Sequence, residues 1–184
     1  MSTNRTVYPV EIAGLKRDLP LFEIKPGLKI AILNILGDTE LTVACAKSLC
    51  GKLSRIPYDV VVTAESKSIP LAHALSVENH KPYVILRKNY KPYMGNAIQA
   101  ETLSITTGQP QTLYLDEKDN SVLKDKRAVI VDDVISTGST LQGMNTIIQK
   151  AGAQVVAKAA IFTEGECDQW TDIVSLGHLP IFTD

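Results

Sequence analysis

Short apolar runs that alternate with helix-like segments constrain the fold of this chain more than any other feature. The run at 58–65, YDVVVTAE, is nearly continuous in apolar residues, which is typical of a strand buried on both faces. From about residue 27 onward, β-rich runs and longer helical segments follow one another, which is the pattern of βαβ units. We therefore expect an α/β fold whose central sheet is mostly parallel and flanked by helices.

The other elements of this fold follow from spacing and from cap residues. A helix is predicted from Asp38, a suitable N-cap, through Leu53, because apolar residues recur three and four positions apart. A short helix is predicted to begin near Pro70, and a third, at 140–152, is predicted to end at Gly152. Further strands are predicted at 29–33, 82–88, 128–133 and 154–162.

Two segments depart from the alternating pattern. The first 26 residues contain prolines at positions 9, 20 and 26, and we expect an irregular arm or a small cap there. Residues 101–116, ETLSITTGQPQTLYLD, have a period of two on both sides of a Gly-Gln-Pro turn, so an antiparallel hairpin is expected within 89–116. A chain of 184 residues can form one well-packed domain, and a single domain is expected over 1–184.

Composition argues against several classes of protein. The chain has 19 basic and 20 acidic residues, so it lacks the global positive charge that holds a nucleic-acid backbone. Cys45, Cys50 and Cys167 do not have zinc-ligand spacing and are expected to be reduced thiols. No stretch approaches the roughly 18 apolar residues of a membrane span, and the N-terminus lacks the apolar core of a signal peptide. These observations predict a cytoplasmic protein without membrane or nucleic-acid partners.

The stretch at 127–143, RAVIVDDVISTGSTLQG, carries the chemistry. In an open parallel sheet, ligands bind beyond the carboxyl ends of the strands, which is where Asp132 and Asp133 are expected. The residues that follow lead into a helix, whose first N–H groups lack intrahelical partners and favour an anion. They offer hydroxyl donors around a glycine that allows close approach: Ser136, Thr137, Gly138, Ser139 and Thr140.

Two carboxylates beside a phosphate site repel the phosphate unless they face hydroxyl donors or a divalent cation. A ribose 5-phosphate meets both requirements, with its phosphate in the loop and its 2- and 3-hydroxyls on Asp132 and Asp133. The ATP-type pattern GxxxxGK[ST] is absent, and no GxGxxG follows a strand. The alternative, a solvated turn after a strand, is disfavoured by the order and spacing of these residues.

The segment VIVDDVISTGST, at 129–140, resembles the phosphoribosyl pyrophosphate (PRPP) binding signature of type I phosphoribosyltransferases. VVTAESKSIPLAHAL, at 61–75, resembles the pyrophosphate loop of the purine branch of that family. LRKNYKPYMG, at 86–95, resembles the Arg-Lys segment that precedes the flap in adenine and orotate phosphoribosyltransferases, and TLSITTGQPQTLYLD, at 102–116, resembles the flap hairpin of adenine phosphoribosyltransferases. The likeness runs from about residue 27 to residue 162.

This resemblance implies an enzyme that displaces pyrophosphate from C1 of PRPP by a nitrogen of a purine base, adenine being the best single candidate. It implies Mg2+ as cofactor, held at Asp132 and Asp133 through ribose or water, a homodimer, and an N-terminal hood. It assigns catalytic roles to Lys67, Arg87, Lys88 and Asp133. The PRPP-binding set that it implies is Asp132, Asp133, Ser136, Thr137, Gly138, Ser139, Thr140, Glu65, Ser66, Lys67, Ser68, Arg87, Lys88 and Lys91.

The base remains open at this level. Hypoxanthine-guanine enzymes carry Asp at the first position of the phosphate loop, where this chain has Ser136, and that disfavours their branch. Adenine enzymes carry a catalytic Glu in the flap where this chain has Thr106, a departure that leaves xanthine, hypoxanthine and orotate as alternatives. Glu101 is nearby, but on a regular strand it faces away from Thr106.

A binding module is the second hypothesis. The bacterial purine repressor has a similar domain, with a comparable pyrophosphate loop and a hairpin without the adenine-type Glu. A PRPP-sensing regulator of that kind therefore stays as the alternative function. Trp170 and Phe182, near the C-terminus, are candidates either for core packing or for the wall of the base pocket.

Overall fold

The computed structural model describes residues 6–103 and 110–183. The strands are β1 (Val7–Ile12), β2 (Leu15–Lys25), β3 (Leu28–Ala31), β4 (Val60–Ala64), β5 (Tyr83–Leu86), β6 (Ile98–Leu103), β7 (Pro110–Leu115), β8 (Arg127–Ile135), β9 (Gln154–Glu164), β10 (Ile173–Leu179) and β11 (Phe182–Thr183). The helices are α1 (Thr39–Leu53), α2 (Ile69–Asn79), α3 (Asn120–Leu123) and α4 (Ser139–Lys150).

The central sheet has five parallel strands in the order β10-β9-β8-β4-β5. All five residues of β4 are buried, as its uninterrupted apolar run predicts. Helices pack on the sheet, so the expected α/β fold with a mostly parallel central sheet is confirmed. The chain leaves β4 toward β5 and later returns to place β8 on the other side of β4. The boundary between β4 and β8 is therefore the topological switch point, where open α/β sheets bind ligands.

The predicted helices form close to their expected positions. Asp38 caps α1, since its side chain accepts a hydrogen bond of 3.1 Å from the backbone nitrogen of Leu41. Helix α2 has Pro70 in its first turn and ends at His80 in the left-handed conformation. Helix α4 ends at Lys150, before Gly152, which adopts the positive φ of 77° that a glycine stop allows.

The N-terminal segment is more regular than expected. Strands β1 and β2 form an antiparallel hairpin, and β3 and β11 extend it to a four-stranded sheet, called here the hood sheet. The expectation of an irregular arm is therefore wrong. A two-residue turn joins β1 to β2, and both of its residues, Ala13 and Gly14, have positive φ, the geometry that suits a tight hairpin. Alanine rarely adopts positive φ, so of the two turn residues only Gly14 is one that predicts a tight turn from sequence.

The strand predicted at 29–33 forms, but not in the central sheet. As β3 it pairs antiparallel with β2 and with β11, at the very end of the chain. Arg17 of β2 attaches the hood sheet to α1, because its guanidinium donates to Asp38 at 2.6 and 3.0 Å and to Glu40 at 2.8 Å. The hydrogen bond from Arg17 lowers the pKa of Asp38 below its ordinary value, although burial acts in the opposite direction.

The predicted hairpin is present as β6 and β7, with Ile98 opposite Leu115. Its strands pack against α4, and Lys150 donates a hydrogen bond of 2.8 Å to the carbonyl of Gln99. Thr106, which stands where adenine enzymes carry their Glu, lies outside the described residues. Glu101 is exposed, whereas Thr102 beside it is buried. In the part of the chain that the structure describes, no helix is long and apolar enough to cross a membrane.

The contact between the hairpin and α4 depends on Gly143. A Cβ at this position would lie 2.0 Å from Cγ2 of Thr102, so we expect Gly143→Ala to displace the hairpin or the helix. Overpacking of this kind costs about 1–3 kcal/mol, and urea denaturation should report a loss of that size in the free energy of unfolding.

Gly51→Ala is the matched control, since Gly51 is also helical but has no atom within 4 Å of its would-be Cβ. That variant should be as stable as the wild type or more stable, because alanine is the better helix former. A Gly143→Ala protein that unfolds at the wild-type urea concentration would contradict the close packing.

Candidate functional site

The two acids lie inside β8 rather than at its end. Strand β8 continues to Ile135 because the longer β9 pairs with it up to Thr163. On the other side, β4 pairs with β8 only as far as Ile130. Asp132 and Asp133 are therefore fixed along one edge and open along the other, at the switch point of the sheet.

Ser68 holds the two acids together. Its hydroxyl oxygen lies 2.6 Å from Oδ1 of Asp132 and 3.0 Å from Oδ1 of Asp133, and it accepts a hydrogen bond of 2.9 Å from the backbone nitrogen of Asp133. Ser68 is buried at the N-cap of α2. A hydroxyl donates one hydrogen only, so it satisfies one of the two carboxylates at a time.

The environment of the acids disfavours two negative charges. Burial raises the pKa of Asp132 to about 7, and the neighbouring charge of Asp133 acts in the same direction. Oδ2 of Asp133 is buried and accepts no hydrogen bond from a described residue, although Nζ of Lys67 lies 3.4 Å away. Lys67 also donates a hydrogen bond of 3.1 Å to the carbonyl of Leu33, and so links the pyrophosphate-loop segment to the hood.

The loop at 136–140 forms a small cup at the N-terminus of α4. A cavity of about 40 Å³ is lined by Asp132, Val134, Ile135, Ser136, Thr137, Gly138, Thr140 and Leu141. Gly138 has a φ of 73°, in the left-handed region that favours glycine. The hydroxyl oxygens of Thr137 and Ser139 lie 3.1 Å apart. Hydroxyls and free helix N–H groups at one cup suit a phosphate.

Trp170 lies against this cup. Its ring would be 3.2 Å from a Cβ at Gly138, and its indole nitrogen donates a hydrogen bond of 2.9 Å to the carbonyl of Glu164. Trp170 therefore braces the phosphate loop from outside the cup. Phe182 packs elsewhere, with its ring 5.1 Å from that of Tyr8 in the hood sheet.

A second cavity, of about 200 Å³, lies beside the cup and extends to the hood. It shares Val134 and Ser136 with the cup, and its remaining lining is Ile30, Ala31, Ile32, Leu33, Lys67, Asp133 and Glu164. We call it the hood cavity. The two cavities together place a phosphate cup, an acid pair and a partly apolar chamber side by side.

The Arg-Lys segment lies outside both cavities. Arg87 forms an ion pair with Glu65, which also accepts a hydrogen bond of 2.8 Å from the backbone nitrogen of Lys88. The side chain of Arg87 lines a different cavity, of about 310 Å³, together with Asp116 and Lys118. Backbone hydrogen bonds of 2.8 Å in both directions join Arg87 to Tyr114 of the hairpin.

The remaining predicted residues are in solvent. Lys88 and Lys91 are exposed, and Lys91 precedes a short 3-10 helix, Pro92–Met94. Ser66 is also exposed, and the peptide bond that joins it to Glu65 is cis. The structure thus brings Asp132, Asp133, Lys67, Ser68 and the phosphate loop together, and leaves Arg87, Lys88 and Lys91 at its periphery.

Sequence reasoning missed the residues that complete the hood cavity. Residues 30–33 belong to the hood and not to the alternating pattern that predicts the central sheet, and Glu164 stands two residues beyond the predicted end of its strand at 162. Its position at the carboxyl end of a parallel strand was the available signal.

Protein side chains alone do not form a metal site in the described part of the chain, where no group of three or more His, Cys, Asp or Glu residues is placed to hold an ion. The acid pair, with the uncompensated Oδ2 of Asp133, fits a hard cation that takes its other ligands from substrate oxygens and water.

Comparisons with known proteins agree with this geometry. The model of the phosphoribosyl transferase domain matches residues 44–172. The chain belongs to the phosphoribosyl transferase family. The site described above lies within the matched residues, apart from the hood backbone.

The relatives include enzymes named for different bases and a transcriptional repressor. The adenine phosphoribosyltransferase of Thermosipho africanus is 31% identical over 77% of this chain and 80% of its own length. The hypoxanthine/guanine phosphoribosyltransferase of Methanococcus voltae is 37% identical over 59% of this chain, and the alignment spans 54% of that enzyme. The purine biosynthesis transcriptional repressor of Bacillus subtilis is 27% identical over 85% of this chain and 56% of the repressor.

The fold also agrees with solved phosphoribosyltransferases. The adenine phosphoribosyltransferase of Thermoanaerobacter pseudethanolicus superposes with a TM-score of 0.67 at 19% identity, over 94% of this chain and 95% of that one. The predicted type I phosphoribosyltransferase fold is confirmed.

The raised pKa of Asp132 predicts a pH-dependent stability. A carboxyl whose folded pKa is about 7, against about 3.9 unfolded, stabilises the folded state below the unfolded pKa, and this contribution is lost as the pH rises through 7. Asp132→Asn mimics the protonated form, so its free energy of unfolding relative to wild type should increase from pH 5 to pH 8 by at least about 1 kcal/mol. Asp18→Asn, an exposed change on β2, is the control, and an Asp132→Asn difference that stays constant with pH would contradict the assignment.

The phosphate cup predicts a specific effect of Gly138→Ala. The variant strains the backbone and pushes against Trp170, so its affinity for ribose 5-phosphate should fall by about tenfold or more. Trp170 is the only tryptophan of the chain, and its fluorescence can report the titration. Gly152→Ala carries a similar positive φ without neighbours within 4 Å, and it should bind ribose 5-phosphate like the wild type. Equal affinities in all three proteins would refute a phosphate site at this loop.

Proposed function

We propose that this chain transfers the phosphoribosyl group of PRPP to a purine base, with release of pyrophosphate, in purine salvage, and that adenine is the base. The observation that carries the proposal is the juxtaposition of the phosphate cup, the acid pair and the hood cavity at the switch point of the sheet. Purine phosphoribosyltransferases among its relatives support it.

The cup and the acids divide the ribose 5-phosphate between them. The phosphate accepts hydrogen bonds from the loop hydroxyls and from the first N–H groups of α4, each charge-assisted bond contributing roughly 1.5–3 kcal/mol. The ribose hydroxyls donate to Asp132 and Asp133. The hydroxyl of Ser68 can donate to only one of the two carboxylates at a time. The ribose hydroxyls supply further donors and so reduce the repulsion between the carboxylates.

The leaving pyrophosphate requires positive charge. Lys67 lies 3.4 Å from Asp133 and lines the hood cavity, and Ser68 beside it contacts both acids. Arg87 is held by Glu65, so its contribution requires this ion pair to open or to be shared with the substrate. Mg2+ bound at the acid pair through ribose or water would neutralise part of the developing charge on the leaving group.

The base occupies the hood cavity in this proposal. The apolar side chains and backbone of 30–33 form one wall, and they exclude water from the sugar carbon that develops cationic character. Ser136 favours adenine, because hypoxanthine-guanine enzymes carry Asp at this first position of the phosphate loop.

A PRPP-sensing regulator is the second candidate. The similarity to the purine repressor, over 85% of this chain, is the observation that favours it. A regulator needs the same phosphate cup and acid pair, but not the transfer chemistry. The two functions therefore differ in whether pyrophosphate is released.

Assembly and location are also proposals. Val43 and Val77 are exposed on α1 and α2, which pack against each other, and a homodimer would cover these side chains. Cys45, Cys50 and Cys167 are free thiols in the structure, which suits the reducing cytoplasm.

A panel assay of pyrophosphate release tests the proposal. Purified protein with PRPP and Mg2+ should react with adenine faster than with guanine, hypoxanthine, xanthine or orotate. The Asp132→Asn/Asp133→Asn variant should bind PRPP at least a hundredfold more weakly, because each charged acceptor becomes a neutral amide with one acceptor oxygen, while Asp18→Asn behaves like the wild type. If the protein binds PRPP tightly but releases no pyrophosphate with any of these bases, the enzyme proposal is refuted and the regulator is supported. Unchanged PRPP affinity in the double variant would contradict the site itself.

A further inference from the structure

Glu164 is an acidic residue of the hood cavity that the proposed reaction does not use. It is 7% exposed, and among the described residues no hydrogen bond or ion pair holds its carboxyl. Burial raises its pKa above the ordinary value. The carboxyl oxygens of Glu164 are not among the fully buried unpartnered atoms of the described residues, and the residue lines the hood cavity, so they can accept a hydrogen bond from a ligand bound there.

The position of Glu164 restricts the ligand. Glu164 lines the hood cavity together with Lys67, Asp133, Ser136 and residues 30–33 of the hood. Trp170 holds the end of β9 in place through the carbonyl of Glu164, so the backbone that carries the carboxyl is fixed. The carboxyl therefore belongs to a pre-formed wall rather than to a mobile segment.

Charge excludes the other parts of the substrate. Phosphate and pyrophosphate groups are anionic and are repelled by a carboxylate. The ribose hydroxyls have Asp132 and Asp133 as acceptors. Lys67, the cation of this cavity, already contacts Asp133 and the carbonyl of Leu33. What remains for Glu164 is a neutral ligand with N–H donors.

We propose that Glu164 is the specificity-determining residue of the hood cavity and that it accepts a hydrogen bond from the exocyclic amino group of an aminopurine. This inference rests on the proposed function and adds the feature by which the base is selected. A carboxylate accepts a hydrogen bond from the 6-amino group of adenine, where hypoxanthine and xanthine carry a carbonyl that it repels, or from the 2-amino group of guanine, where hypoxanthine has no donor and xanthine has a carbonyl. The flap is not needed for this selection, since Glu164 belongs to the central sheet.

The test compares bases in the wild type and in Glu164→Gln. The wild type should favour an aminopurine over hypoxanthine in kcat/KM. Glutamine has nearly the same shape but lacks the charge and presents N–H donors to a carbonyl. The variant should therefore lose roughly tenfold to hundredfold of this preference, with the KM for PRPP unchanged. Adenine and guanine as separate arms identify which amino group is bound.

Glu166→Gln is the matched control, because Glu166 is exposed two residues further along the chain. It should keep both the activity and the preference of the wild type. Urea denaturation of both variants checks that the fold is intact. An active Glu164→Gln protein with the wild-type preference, or a wild type that prefers hypoxanthine or xanthine, would overturn the inference.

Direct binding separates this inference from the proposed function. If no base yields pyrophosphate, phosphoribosyl transfer is refuted, and calorimetry of adenine, guanine and hypoxanthine with ribose 5-phosphate present then decides about Glu164. An aminopurine preference that Glu164→Gln abolishes supports the role of Glu164 in base selection. Equal affinities of wild type and variant for all three bases overturn it.

Discussion

The rest of the structure depends on two carboxylates held side by side where β4 and β8 diverge. One hydroxyl, that of Ser68, is shared between Asp132 and Asp133, and one ammonium group, that of Lys67, lies near the second acid. Such a pair is costly without a ligand, because burial and mutual repulsion both disfavour the charged forms. Hydroxyl donors or a divalent cation would reduce this cost, and this is the physical basis of the proposed ribose site.

The hood adds a wall to this site, formed by residues 30–33. Arg17 connects the hood sheet to the N-cap of α1, and Lys67 connects the pyrophosphate-loop segment to the carbonyl of Leu33. Both links are charge-assisted, and both join segments that are distant in sequence. The hood wall of the cavity therefore depends on a part of the chain that contains no recognisable motif.

The hairpin and the phosphate loop are braced by close contacts at glycines. Gly143 lets β6 approach α4, and Gly138 lets Trp170 approach the loop from outside. A methyl group at Gly143 would clash with Thr102, and one at Gly138 would press against the ring of Trp170. Helix α4 therefore has two structural roles, since its N-terminus forms part of the cup and its side carries the β6–β7 hairpin.

The sequence by itself determined the parallel sheet, the helices and the chemistry of the acid pair and the phosphate loop, because these depend on residue types that are adjacent along the chain. It did not determine the hood sheet, in which β3 pairs with β11 from the far end of the chain, nor that Arg87 is held by Glu65 away from the acids. It also gave Glu164 no role. Those features depend on which distant segments meet, and local periodicity carries no information about such contacts until the tertiary fold brings them together.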